Sequence, residues 1–169
     1  MFKLLNPSNT FFFINIIIKH FTSLLIIILP IGLIYSLWLS PVDYLQGDAV
    51  RIMYVHVPSA WLSLGCYAFI GLLSIISFLF KNKNFYLINK SLAPLGLMFT
   101  IIAIVTGSLW GQPTWGTWWA WDARLTSMLV LAFFYFFIIL TYKLISNFEL
   151  SNKLASLVAI IGLINLPLI

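Results

Sequence analysis

Eight residues of this chain have side chains and spacing suited to chemistry at a single site. His56 stands two residues ahead of Pro58 in GDAVRIMYVHVPSAW (47–61), with Arg51 five positions before it. Trp115, Trp118, Trp119 and Trp121 lie in WGQPTWGTWWAWDARLTS (110–127) and run directly into Asp122 and Arg124. A neutral imidazole is a ligand for iron, zinc or copper. Indole faces stack on large planar apolar surfaces, each contact adding about 0.5–1.5 kcal/mol beyond the area it buries. Arginine binds carboxylates through paired hydrogen bonds. Each feature also has a plainer reading. Tryptophan settles at the headgroup level of a bilayer because its ring is apolar and its N–H polar, and a lone histidine there can be no more than a polar tip.

The elements that must position these residues follow from composition. The 169 residues are 62% hydrophobic and 8% charged, with a mean hydropathy of +1.06. A soluble domain carries about a quarter charged residues, so an all-α, polytopic transmembrane helix bundle is expected, forming a single membrane domain. A net charge of +5 would suggest nucleic acid for a soluble domain. Here the basic residues sit between apolar runs, which is how loops are oriented against a bilayer, and no nucleic-acid partner is expected. The single cysteine, Cys66, lies inside an apolar run and reads as a small core hydrophobe. The chain is rich in Phe, Ile, Asn and Lys, a bias common to organelle genomes rich in A and T.

Five apolar runs are present, at about 21–40, 57–80, 91–110, 125–145 and 153–169. The first four reach the ~20 residues needed to cross a hydrocarbon core. The last, 17 residues from Lys153 to Ile169, makes about 25 Å of helix. FFFINIII (11–18) is too short to cross alone and reads as an interfacial segment leading into the first span. No small-x-small site marks a cleaved signal peptide. The connectors alternate in charge. Lys3 and Lys19, then Lys81, Lys83 and Lys90, then Lys143 and Lys153 against Glu149 mark the inner side. Asp43 and Asp48 against Arg51, and Asp122 against Arg124, mark the outer side. The histidine loop and the tryptophan stretch are therefore expected on one outer surface. His20, the other histidine, is expected on the inner side, which excludes a two-histidine zinc site with His56.

Gly107, Gly111 and Pro113 are expected to interrupt the third span, with Pro113 opening a short interfacial Trp-rich helix on the outer face. If 114–122 is helical, Trp115, Trp118, Trp119 and Asp122 recur at i, i+3, i+4 and i+7 and share one flat aromatic face. Asp122 would also cap the next span, steadied by Arg124. An aromatic shelf, one imidazole and two arginines would suit a planar, apolar, dianionic, iron-bearing ligand. Haem matches this description: the ring stacks, the iron takes His56, and the propionates take Arg51 and Arg124.

The motifs themselves carry a resemblance. WGTWWAWDARLTS resembles the WWD signature of the haem-handling proteins of cytochrome c biogenesis. PVDYLQGDAVRIM, MYVHVPSAW, TGSLWGQP and the closing INLP are similar to the CcmC family of system I cytochrome c maturation, from about residue 30 to the end. The resemblance implies a six-span, non-enzymatic membrane subunit that binds haem b as transient cargo at the outer face. It would pass the haem to a haem chaperone and work with the subunits of an ABC-type transporter. It also implies a WWD haem-platform loop at 110–127 and His56 as one axial ligand of the iron. The family's second axial histidine follows its fifth span, and this sequence stops before it. The short final run favours a fragment truncated at the C-terminus, the alternatives being a remainder encoded separately or a shortened protein that supplies half the iron ligation. The expected location is the mitochondrial inner membrane, with the bacterial inner membrane as the alternative.

Reaction classes are poorly supported. No nucleophile–base pair or carboxylate dyad is present, and no acid or base falls at the centre of a span, where transporters place ionisable groups. The competing class is a structural or quinone-contacting subunit of a respiratory complex, with the tryptophans as interfacial anchors. The two readings part on Trp118→Leu: the anchor reading leaves cytochrome c assembly intact, and the haem reading reduces it.

Overall fold

A backbone in hydrocarbon must satisfy its own N–H and C=O groups, which makes each long apolar run a helix. In the computed structural model, which describes residues 7–80 and 83–169, these are α1 (Pro7–Ile34), α2 (Val50–Phe80), α3 (Lys83–Trp115), α4 (Ala123–Leu144) and α5 (Phe148–Gly162). A π-helical turn, Tyr35–Leu39, follows α1, and a 3-10 segment, Leu163–Leu168, extends α5. Among the described residues, five helices are long and apolar enough to cross a membrane, as a multi-pass protein requires. Lys3 and Lys81 lie outside the described residues.

The chain divides into two compact units, residues 1–41 and 42–169. In the first, FFFINIII is not a separate interfacial segment but the beginning of α1. No Gly or Pro falls between residues 8 and 29, so nothing stops the helix between this run and the next. His20 lies within it, its Nδ1 2.8 Å from the Ile16 carbonyl.

The second unit is a four-helix ring in which α2 packs on α3, α3 on α4, α4 on α5, and α5 on α2. Lipid tails are as apolar as the helices, so close approach of small residues and interhelical hydrogen bonds must hold such a ring. Ser151, Ala155 and Ala159 recur every four residues on α5 and are all buried. Two tyrosines fill the centre. Tyr67 on α2 and Tyr135 on α4 meet edge-on with ring centroids 5.0 Å apart. Tyr135 donates its hydroxyl proton to the Ser63 carbonyl at 2.7 Å, and Tyr67 donates to the Val158 carbonyl at 3.2 Å. The Tyr135 ring occupies the place a side chain at Gly96 would take, and the Tyr67 hydroxyl does the same at Gly162. Along the α2–α3 seam the Ser63 and Thr100 hydroxyls pair at 2.5 Å, and the Asn89 amide donates to the Ser74 hydroxyl at 2.9 Å.

Gly96→Ala sets a methyl group against a ring that is fully buried and pinned by its hydroxyl. It should destabilise the bundle by about 1–3 kcal/mol, as overpacking does. Gly65→Ala, which adds its methyl to open space within α2, should not destabilise and should raise stability by up to about 1 kcal/mol. Unfolding in a titration of SDS against mild detergent compares the two.

Candidate functional site

The loop ahead of α2 is a tight turn. The Asp43 carboxylate accepts from the Leu45 and Gln46 amides at 2.9 and 2.8 Å, and Gly47 takes a positive φ of 57°. The turn presents Gln46, whose side-chain oxygen accepts from the Trp110 indole N–H at 3.0 Å. The loop before α2 and the tryptophan stretch after α3 thus lie at one end of the unit. Lys90, early in α3, sits at the opposite end, its ammonium 5.9 Å from the Tyr142 ring near the close of α4.

The tryptophan stretch differs from its expected form. Helix α3 does not break at Gly107 or Gly111. It runs through Pro113 to Trp115, and 116–122 contains no helix. The expected Trp-rich helix over 114–122 therefore does not form. Its physical cause is Gly116, which adopts φ +76° and donates its N–H to the Gln112 carbonyl at 3.0 Å, closing α3 in the left-handed turn that glycine alone enters without strain. Gly111 then lets the chain fold back: a Cβ there would lie 3.3 Å from both the Thr117 carbonyl oxygen and the Trp115 ring. The indoles form two crossed pairs instead of one flat face. Trp110 meets Trp115 at 5.0 Å and 71°, and Trp119 meets Trp121 at 5.6 Å and 77°. Trp118 and Trp121 stand exposed.

Asp122 does cap α4. One carboxylate oxygen accepts from the Leu125 amide at 2.8 Å, and the other lies 3.7 Å from the Arg124 guanidinium. The 3-10 segment is tied to the same helix start: the Asn165 amide donates to the Ser127 carbonyl at 2.8 Å, and the Ser127 hydroxyl donates to the Leu168 carbonyl at 3.1 Å.

A cavity of about 210 Å³ opens among these pieces, lined by His56, Ala60 and Leu64 of α2, by Ala103, Ile104, Gly107, Trp110 and Trp115 of α3, by Asp122, Arg124, Leu125 and Met128 at the start of α4, and by Ile169. Four of the eight residues singled out by sequence meet there: His56, Trp115, Asp122 and Arg124. Trp118, Trp119 and Trp121 lie on the stretch that leads into it but not on its wall. Arg51 is also elsewhere. Because α2 begins at Val50, Arg51 and His56 share one helix and point roughly 140° apart. Arg51 pairs with Asp48 at 3.1 Å. Sequence reasoning missed Gly107, Met128 and Ile169. Gly107 reads in sequence as a helix break, and the other two carry no signal that separates them from core residues.

The His56 ring is oriented by α3. Its Nδ1 lies 3.0 Å from the Ala103 carbonyl oxygen and 3.2 Å from the Thr106 hydroxyl. A carbonyl only accepts, so Nδ1 carries the proton and Nε2 keeps its electron pair, the form in which imidazole binds a metal.

The sequence matches the CcmC family, heme exporter protein C, over residues 1–169. This chain belongs to the heme exporter protein C family. It is 43% identical to heme exporter protein C of Escherichia coli K12 over 144 residues, covering 85% of this chain and 59% of the relative. It is 36% identical to that of Bradyrhizobium diazoefficiens over 169 residues, covering 100% of this chain and 64% of the relative. A ccmC-like mitochondrial protein of cytochrome c biosynthesis from Marchantia polymorpha is 46% identical over 134 residues, covering 79% and 56%. The chain thus spans less than two thirds of the length of these relatives. The heme exporter C match takes in the whole cavity wall, from His56 to Ile169.

Asp122 carries both the cap and the ion pair, and these separate by mutation. Asp122→Ala should cost about 1 kcal/mol of stability through loss of the cap. Asp122→Asn, which still caps, should lose only the exposed pair with Arg124 and cost a few tenths at most. Parallel SDS unfolding curves measure both.

Proposed function

We propose that this chain is a non-enzymatic, haem-handling membrane subunit of cytochrome c maturation. It binds haem b as transient cargo at the tryptophan end of the bundle, with His56 as an axial ligand of the iron. The observation that carries this reading is that His56 lines one cavity with Trp115 and Arg124 while its Nδ1 lies against the Ala103 carbonyl, an arrangement that leaves Nε2 to offer the electron pair. Among the described residues no three of His, Cys, Asp or Glu converge, so a metal held here must bring most of its own ligands, as a macrocycle does.

The cavity's size shapes how the cargo would sit. Ligand pockets that enclose their ligand run to about 300–1,000 Å³, and this one measures about 210 Å³. It takes one edge or face of the macrocycle. The rest lies across the mouth, where the exposed Trp118 and Trp121, with Trp119, would cover it. A partly covered ring suits cargo that must leave again for a haem chaperone. Arg124, 70% exposed, can swing from Asp122 to a propionate, whereas Arg51, paired with Asp48 and off the cavity wall, is not placed to take the other. On this reading the tryptophan end faces outward, the lysine end faces inward, and the chain works beside ABC-type transporter subunits. The mitochondrial relative and the Phe-, Ile-, Asn- and Lys-rich composition favour a mitochondrial inner membrane over a bacterial one.

Titrating the purified chain in nanodiscs with haemin tests the assignment. His56→Ala should weaken the Soret band of the ligated form and lower affinity at least about tenfold, since even loss of a ligand's supporting partner costs ~10–100-fold. Arg124→Gln should lower affinity by up to about fivefold, the worth of an exposed charge pair. His20→Ala should change nothing. Unaltered binding by His56→Ala would remove the basis of the reading.

A further inference from the structure

Axial ligation alone does not require the surroundings that α3 gives to the His56 ring. Ala103, Thr106 and Gly107 fall at i, i+3 and i+4 and share one face of that helix. Two of them address the same ring atom: the Ala103 carbonyl at 3.0 Å and the Thr106 hydroxyl at 3.2 Å both lie against Nδ1. The Thr106 hydroxyl donates its own proton to the Ile102 carbonyl at 2.6 Å, which leaves it a lone pair toward the ring. Two acceptors therefore converge on one N–H. The other tautomer would set a bare nitrogen lone pair against the Ala103 carbonyl oxygen and is disfavoured. The third residue supplies space. A Cβ at Gly107 would lie 3.0 Å from the ring's Cε1 and 3.4 Å from Nδ1, so a side chain there would push the imidazole by a few tenths of an ångström from the place glycine leaves it.

The geometry points to Thr106 and Gly107 as positioning residues for His56, which fix its tautomer and its tilt so that the Nε2 electron pair stands toward the cavity before any iron arrives. This inference rests on the reading of His56 as the iron ligand. It adds that the site is preformed: haem capture requires neither proton movement on the ring nor ring rotation. It also accounts for Gly107, whose position inside a helix costs about 1 kcal/mol relative to alanine with no turn to justify it. A ligating imidazole whose second N–H is held by a carbonyl is fixed in orientation and made more basic.

The test uses the full chain in nanodiscs with ¹⁵N-labelled histidine and His20→Gln, so that His56 supplies the one imidazole signal. Haem-free spectra at about pH 8.5, well above the ordinary imidazole pKa of ~6.5, should show a protonated Nδ1 and an unprotonated Nε2. Thr106→Val should introduce a measurable fraction of the Nε2–H form and weaken haemin binding severalfold, and Thr106→Ser should restore both. Gly107→Ala should shift the ring resonances and weaken haemin binding about tenfold or more. An Nε2–H form in the parent chain would overturn the inference, as would a parent-like spectrum and affinity in both Thr106→Val and Gly107→Ala. The spectra need no cargo, so the two ideas fail separately. A parent chain that shows the expected tautomer yet binds no haemin upholds the cradle and removes the ligand assignment. His56-dependent haemin binding with Nε2 protonated in the free chain does the reverse.

Discussion

The seam between α2 and α3 fixes where everything else can be. Three α2 side chains bond across it in antiparallel register: His56 to Ala103 and Thr106, Ser63 to Thr100, and Ser74 to Asn89. A slip of one helical turn would break all three and leave buried polar groups without partners, an expensive outcome where no water can replace them. The same register brings Gly107 beneath the imidazole and sets Gly96 where Tyr135 of α4 can dock. The site is therefore continuous with the packing of the bundle: the bond that orients His56 is one rung of the ladder that joins the helices.

The tryptophan stretch completes the site through backbone devices more than through its rings. Gly116 ends α3, Gly111 admits the returning chain, and Asp122 starts α4 while holding Arg124 near the cavity mouth. A rigid frame thus carries an aromatic surface left substantially open. Enclosure would favour affinity. An open rim favours release, the property that a protein handing haem onward would need.

Much of this was legible in the sequence, for a definite reason. Hydrocarbon leaves the backbone so few options that apolar run length announced four full spans and a shorter fifth, which the structure extends back to Phe148, and charge alternation placed His56 and the tryptophans at one end, where the structure has them. The Asp122 cap was readable because an acid just ahead of an apolar run has one common local use. Other features were not readable. Helical periodicity put four residues of 114–122 on one face, but the positive φ of Gly116 overrides periodicity, and a glycine's φ leaves no trace in a single sequence. Glycine is poor in helices, so Gly107 and Gly111 read in sequence as breaks. Both instead stay helical and make room, one for an imidazole and one for a returning chain. The separation of Arg51 from the cavity followed from the start of α2 at Val50, seven residues before the apolar run suggested a helix.

The claim on which the account depends is that His56, set against α3, supplies an electron pair to haem iron. Pulsed electron paramagnetic resonance of ferric haem bound to the ¹⁵N-histidine chain, with His20→Gln leaving one imidazole, addresses it directly. The account predicts a ¹⁵N hyperfine coupling of an axial ligand that vanishes in His56→Ala. Haem bound with no such coupling in the parent chain would contradict it.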